Sequence, residues 1–202
     1  MAGLATALGS GAMTNSINEI SAAKTILAIG TNTTQAHPVL ALQVKKAARN
    51  GAKLIVVNPK EIDLCRHATL HIQQRPGTDV ALVMGMIRII IDEGLADLDF
   101  VKERCEDYDE FVASLAPFDL DSVEKITTVP KEQIAEAARM YATNGPAAIL
   151  YCMGITQHCH GTDNVWSLSN LALVTGNLGK PSAGVNPLRG QNNVQGSCDM
   201  GA

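Results

Sequence analysis

Three runs of strand length, each apolar on both faces, punctuate the chain at residues 25–30, 53–58 and 147–153. Continuous apolar runs of this kind suit parallel strands covered on both sides. A shorter strand is predicted at 70–74. Between the first two runs a polar loop, 31–36, leads to His37-Pro38, where proline in a first helical turn costs nothing because its missing N–H would be unpaired anyway. Leu40, Ala41, Val44 and Ala48 then recur at helical spacing. Lys45, Lys46 and Arg49 suit the negative end of the macrodipole, and Asn50-Gly51 stops the helix. A short helix is expected within 61–68. The stretch 80–93 is apolar nearly all round, the mark of a buried helix. Residues 3–20 read as a short helix and a Gly-rich turn. Residues 96–105 and 109–116 read as short helices, and 130–141 as a longer one packing through Ile134, Ala137, Ala138 and Tyr141. A last helix over 164–174 presents Val165, Leu168, Leu171 and Ala172, with Asp163 as its expected cap. Strands alternating with helices predict an α/β fold: a doubly wound, mostly parallel, Rossmann-like sheet in a three-layer αβα sandwich.

Composition narrows the function classes. The chain has 202 residues, 46% hydrophobic and 18% charged, with a net charge of −4, so no general affinity for nucleic acid is implied. No apolar run is long enough to span a bilayer, and no secretory signal is evident. The five cysteines are odd in number and form no CxxC pair, which points to reduced thiols, a cytoplasmic setting, and no iron–sulfur or zinc site within this stretch. From Gly145 onward the only charged residues are Asp163, Lys180, Arg189 and Asp199. So neutral a third is suited to burial against a ligand or more protein, and suggests a piece of something longer.

In a doubly wound sheet, ligands sit beyond the carboxyl ends of the strands. The loops there are 30–38, 58–60, 75–79 and 153–157. Gly30 permits a sharp turn, Asn58 ends the second strand, and Asp79 could accept two hydrogen bonds from a guanine edge or a ribose; alternatively, Thr78 and Asp79 merely cap the long helix. There is no GxGxxG and no GxxxxGK[ST], so NAD-type and P-loop binding are unsupported. His158-Cys159-His160 near Cys152 reads as surface or structural rather than as a metal centre. Trp166 is expected in the core, and His37 as a helix cap. The closing stretch 188–201 holds one cation, four side-chain amides and three glycines without periodicity. It is either a polar surface loop or a ligand cradle whose arginine meets an anion.

Arg189-Gly190-Gln191-Asn192-Asn193-Val194-Gln195-Gly196, followed by Cys198-Asp199-Met200-Gly201, resembles the catalytic subunit of molybdenum- or tungsten-dependent formate dehydrogenases, in the dimethyl-sulfoxide-reductase class of molybdopterin oxidoreductases. Gly11-Ala12-Met13-Thr14-Asn15, His37-Pro38, Pro76-Gly77-Thr78-Asp79, Met153-Gly154 and Thr175-Gly176-Asn177-Leu178-Gly179 extend the likeness along the whole chain. The resemblance implies a bis-(molybdopterin guanine dinucleotide) cofactor with molybdenum or tungsten, residues 1–202 forming the domain that holds one guanine dinucleotide. Residues 181–202 would be a cofactor and substrate loop leading into a further domain. Gly30, Asn32, Gln35, Asn58, Pro59, Gly77, Thr78, Asp79, Met153, Gly154, Gln157, Gly190 and Gln191 would contact the cofactor, and Arg189 would orient formate. No metal ligand is expected within these residues, since the family's ligating cysteine or selenocysteine should lie just upstream. An iron–sulfur cluster would lie further upstream, and electron-transfer subunits are implied as partners. The chain departs from the family pattern at Lys60, where arginine is frequent, and at Gln35 and Asn58, where an acid is common. By itself it is expected to be inactive. The alternatives are a domain of another molybdopterin oxidoreductase, such as a nitrate reductase, and a non-catalytic nucleotide-binding module.

Overall fold

A five-stranded, wholly parallel sheet forms the centre of the computed structural model, which describes residues 1–201. Its strands are β1 (Thr25–Ile29), β2 (Lys53–Val57), β3 (Leu70–Ile72), β4 (Ala147–Tyr151) and β5 (Gly184–Pro187), in the spatial order β3-β2-β1-β4-β5. Thr25 pairs with Lys53 on one side and Ala147 on the other, and Ile29 with Val57 and Tyr151. The chain therefore builds outward from β1 to β3, returns, and adds β4 and β5 on the opposite flank. The order reverses between β1 and β4.

The helices are α1 (Ala2–Leu8), α2 (Thr33–Ala36), α3 (Pro38–Arg49), α4 (Asp79–Asp92), α5 (Leu98–Arg104), α6 (Tyr108–Ser114), α7 (Leu120–Thr127), α8 (Lys131–Thr143), α9 (Met153–Thr156), α10 (Gly161–Val174) and α11 (Val194–Asp199), with 3-10 turns at Ile17–Ala22 and Asp63–His67. Successive strand residues point to opposite faces, so each apolar run feeds two cores. Leu27, Ile29, Ile55, Val57, Ile149 and Tyr151 pack with α1, α4, α7, α8 and α10. Ile26, Ala28, Leu54, Val56, Ala148 and Leu150 pack with α3 and the two 3-10 turns. This is the three-layer sandwich that the two-faced apolar strands require. As its sequence suggests, α4 is buried nearly all round, between the sheet and the helices α7, α8 and α10.

Several local expectations are corrected. β5 (Gly-Val-Asn-Pro) carries no apolar run; at the sheet edge, pairing to β4 alone, it tolerates the proline that a central strand would not. The loops at 31–36 and 153–157 each contain one helical turn, α2 and α9. The stretch 188–201 closes with a short helix, α11, that has no apolar face of its own. α7 was not legible from its mixed composition. α10 begins at Gly161, so Asp163 lies within its first turn and accepts from His160 Nδ1 at 3.0 Å instead of capping. Trp166 points away from the buried stripe of α10 and is 40% exposed.

Candidate functional site

Where the strand order reverses, two glycines bring the ends of β1 and β4 together. The Gly154 N–H donates to the Gly30 carbonyl at 3.0 Å. A Cβ on Gly154 would lie 2.6 Å from that oxygen, and one on Gly30 would lie 2.8 Å from the Gly154 backbone. Gly30 also has φ +58°, a conformation side chains resist. Both glycines thus shape the crevice by what they lack.

Beside this contact lies a cavity of about 310 Å³ lined by Gly30, Thr31, Asn32, Asn58, Pro59, Gln74, Pro76, Asp79, Gly154 and His158. Asp79, at the start of α4, is only 3% exposed and accepts from Gln74 Nε2 at 2.8 Å. Burial pushes its carboxyl above the usual carboxylate range, against the weaker opposing pull of the Gln74 N–H and nearby His158. It does not cap α4: Thr78 is the cap residue, its side chain makes no capping bond, and its hydroxyl donates instead to the Arg75 carbonyl at 2.6 Å. Gln74 Oε1, Asn32 Oδ1 and the hydroxyls of Thr31, Thr33 and Thr34 are buried without hydrogen-bond partners. Buried polar atoms are nearly always paired, so such a cluster marks a place built for a hydrogen-bonding ligand. Its acceptors, a carboxylate and two amide oxygens, fit a ligand edge rich in N–H or O–H groups.

The other predicted contacts divide. Asn58 lines the cavity, but its Oδ1 is tied to the Lys60 N–H at 2.9 Å, closing a turn with Pro59. Gln35 is exposed and accepts from Asn32 Nδ2 at 3.0 Å, which fixes the Asn32 amide from outside. Gly77 and Gln157 are exposed and Thr78 half-buried, and none of the three lines this cavity. Sequence reasoning, which had marked Asn32 and the loop around it, missed Gln74 and His158. His158 ties back through Nε2–H to the Gly154 carbonyl at 2.9 Å, a bond between chain neighbours that no spacing rule announces.

A second pair of cavities flanks Arg189, just beyond β5. One, about 80 Å³, is lined by residues that include Tyr151, Met153, Thr156, Arg189, Gly190 and Gln191. The other, about 490 Å³, is lined by residues that include Met13, Ile17, His37, Pro38, Leu188, Arg189 and Gln195. The half-buried Arg189 donates through Nη2 to the Gly11 carbonyl at 2.9 Å and to Gln195 Oε1 at 3.4 Å. Its Nε is buried with no partner. His37 does not cap α3 with its side chain; its Nε2 lies 2.9 Å from the Arg189 carbonyl. Met153, Arg189, Gly190 and Gln191 are thus brought together, and Gly11, His37, Tyr151 and Gln195 join them. Cys152 donates to the Leu188 carbonyl at 3.0 Å, and His160 pairs with Asp163, so the Cys-His cluster disperses into local bonds.

The chain matches known proteins along its whole length. The sequence model of the family described as Molybdopterin oxidoreductase matches residues 3–202. An F420-dependent formate dehydrogenase 2 subunit alpha of Methanococcus maripaludis is 48% identical over 200 residues, covering 99% of this chain and 30% of that one. Formate dehydrogenase H of Escherichia coli is 48% identical over 202 residues, covering 100% of this chain and 28% of that protein. Among solved structures, acetylene hydratase from Pelobacter acetylenicus superposes with a TM-score of 0.80 at 29% identity, over 88% of this chain and 24% of that one. The chain thus spans about 30% of the length of these two relatives.

Proposed function

The chain belongs to the molybdopterin oxidoreductase family, and we propose that it is the part of a formate dehydrogenase catalytic subunit that holds a guanine dinucleotide arm of the cofactor and orients formate. The observation that carries this reading is Arg189, the lone arginine of an almost uncharged third of the chain, whose buried Nε–H has no protein partner. A buried guanidinium donor left unpaired is costly, and a small carboxylate is the natural acceptor. Fold alone would not choose the substrate, since the sandwich is shared with an acetylene hydratase. The Arg189 motif and the formate dehydrogenase relatives favour formate over the nitrate-reductase alternative.

The two sites divide the work. In the crevice, Asp79 and the orphaned Gln74 Oε1 offer adjacent acceptors that suit the N1–H and N2–H edge of guanine. Thr31, Asn32, Thr33 and Thr34 would meet the sugar and phosphates. Gly77, Thr78, Gln157, Gln35 and Asn58 would contact the dinucleotide from the rim, while Met153, Gly190 and Gln191 border the arginine. When bound, the molybdenum or tungsten pterin centre supplies the acceptor for the two electrons that leave formate. The chain's own part is to bind the anion through Arg189, fix its direction, and keep it in a pocket with few charges of its own. The metal ligand and any iron–sulfur cluster are assigned to other parts of the full protein, and electron-transfer subunits to its partners. No helix among the described residues is long and apolar enough to cross a membrane. The five unpaired cysteines suit a reducing, cytoplasmic compartment.

The test is Arg189→Gln in the full-length protein. Formate oxidation is expected to fall roughly ten- to a hundredfold, as a lost charge-assisted contact of about 1.5–3 kcal/mol implies, with pterin and metal content unchanged. Wild-type turnover of formate by the variant would sink the assignment.

A further inference from the structure

Arg189 is held at both of its ends. At the side-chain end, Nη2 is fixed by the Gly11 carbonyl and by Gln195. At the main-chain end, the Arg189 carbonyl meets the imidazole of His37 across 2.9 Å, from a residue 152 positions earlier in the chain. A carbonyl oxygen can only accept, so Nε2 of His37 carries the hydrogen. Nδ1 is buried and has no partner, which leaves this one bond to fix the ring. His37 itself is seated by the fold: it follows α2 and precedes Pro38, the first residue of α3, whose far side packs into the core through Leu40 and Val44. The ring thus ties a helix anchored on the sheet to the loop after β5, which beyond the core residue Leu188 buries no residue of its own.

We propose that His37 is the positioning residue of the Arg189 site, clamping the loop after β5 so that the unpartnered Nε–H faces the anion. This inference rests on the reading of Arg189 as the formate-binding group. The physical reason for a clamp lies in what surrounds the loop. Gly190 directly follows Arg189, and Asn193 adopts a left-handed φ of 53° before α11 begins. With a glycine on one side and an irregular turn beyond, the peptide at Arg189 has no regular ladder to hold it. The preceding residue, Leu188, is tied to the Tyr151 carbonyl through its N–H at 2.8 Å. His37 supplies the bond on the other side of the arginine's own Cα. Losing it frees the peptide to rotate and spreads the guanidinium over several directions, which weakens anion binding without removing the charge.

The experiment uses the full-length, cofactor-loaded protein with His37→Phe, His37→Gln and His37→Asn, alongside Arg189→Gln. Formate affinity is read directly by titration calorimetry and through KM and kcat. Loss of a single neutral hydrogen bond is worth up to about tenfold in affinity. His37→Phe is therefore expected to weaken formate binding and raise KM by about that factor, with a smaller change in kcat. Glutamine places an N–H near the position of Nε2 and is expected to recover most of the affinity; asparagine, whose N–H falls nearer Nδ1, is not. If His37→Phe fails to fold or to load, the glutamine–asparagine comparison decides the matter on its own. Equal formate affinity in those two variants would overturn the clamp while Arg189→Gln still lost formate binding. Unchanged binding in Arg189→Gln would instead remove the underlying reading, and the clamp with it.

Discussion

At the scale of single residues, Asp79 shows how a site can be told from a structural part. A buried carboxylate held by one amide N–H is under-solvated, and burial raises its pKa. Above that raised value the folded chain carries the cost of the buried charge, so removing the charge should help the fold and harm the ligand. Asp79→Asn is accordingly expected to raise resistance of this chain to urea at neutral pH. On the proposed reading, the same change in the full protein should lower guanine nucleotide retention by roughly ten- to a hundredfold, the worth of a charge-assisted hydrogen bond. Nucleotide released by acid from the purified variant measures the second effect. A variant less stable than the wild type, with full nucleotide content, would make Asp79 a structural residue. Sequence reasoning could single out Asp79 and Arg189 because an acid after Pro-Gly-Thr and a lone arginine among amides are visible in a line of text. It misjudged Trp166, expected in the core and 40% exposed, and it placed His37 at the start of α3 without foreseeing that its ring turns to the Arg189 carbonyl.

At the scale of elements, the β1 and β4 loops are locked by two glycines in backbone contact. A methyl group on Gly154 would stand 2.6 Å from the Gly30 carbonyl oxygen and 2.7 Å from its Cα, and backbone on both sides cannot yield as a side-chain tip would. Gly154→Ala is therefore expected to destabilise this chain by about 2 kcal/mol, as overpacking does. For a domain of this size that lowers the melting point by roughly 4–8 °C. Calorimetry checks it, and a change under one degree would mean the crevice relaxes freely. Because Thr31 and Asn32 follow Gly30, the same substitution should also disturb the crevice proposed to hold the dinucleotide. The two-faced strands and the all-round apolar α4 were plain in the sequence. β5 and α11 were not: β5 owes its form to pairing with β4, and α11 buries no residue that would write an apolar pattern.

At the scale of the whole molecule, the N-terminal segment is fastened to the far edge of the sheet through Glu19. Its carboxylate accepts from Asn15, from Ser16 and from the Ser182 N–H at 3.0 Å, and these bonds hold its pKa down to about 2. The folded value lies below the ordinary glutamate value of 4.5, so the contribution to stability is full above that upper value and fades as pH falls toward the lower one. Melting temperature followed from pH 6 to pH 2 should drop across that window, and Glu19→Gln should flatten the drop. Asp79 acts with the opposite sign, since its raised pKa favours the fold on acidification. A Glu19→Gln profile that still matched the wild type would show that this fastening does not govern acid stability.

The sequence by itself determined four of the five strands, their covering on both faces, and the loops at the carboxyl ends of the strands, because burial on both faces writes a local pattern that period and spacing reveal. It also carried the motif around Arg189 and the acid at Asp79. Only the tertiary structure decided that Gly30 and Gly154 touch, that Gln74 turns one amide face toward Asp79 and leaves the other unpaired, and that His37 reaches the Arg189 carbonyl. These are contacts between residues far apart in sequence, or choices of side-chain direction within a turn. Neither leaves a periodic trace in the chain, since each is fixed by the packing of elements that fold from other parts of it.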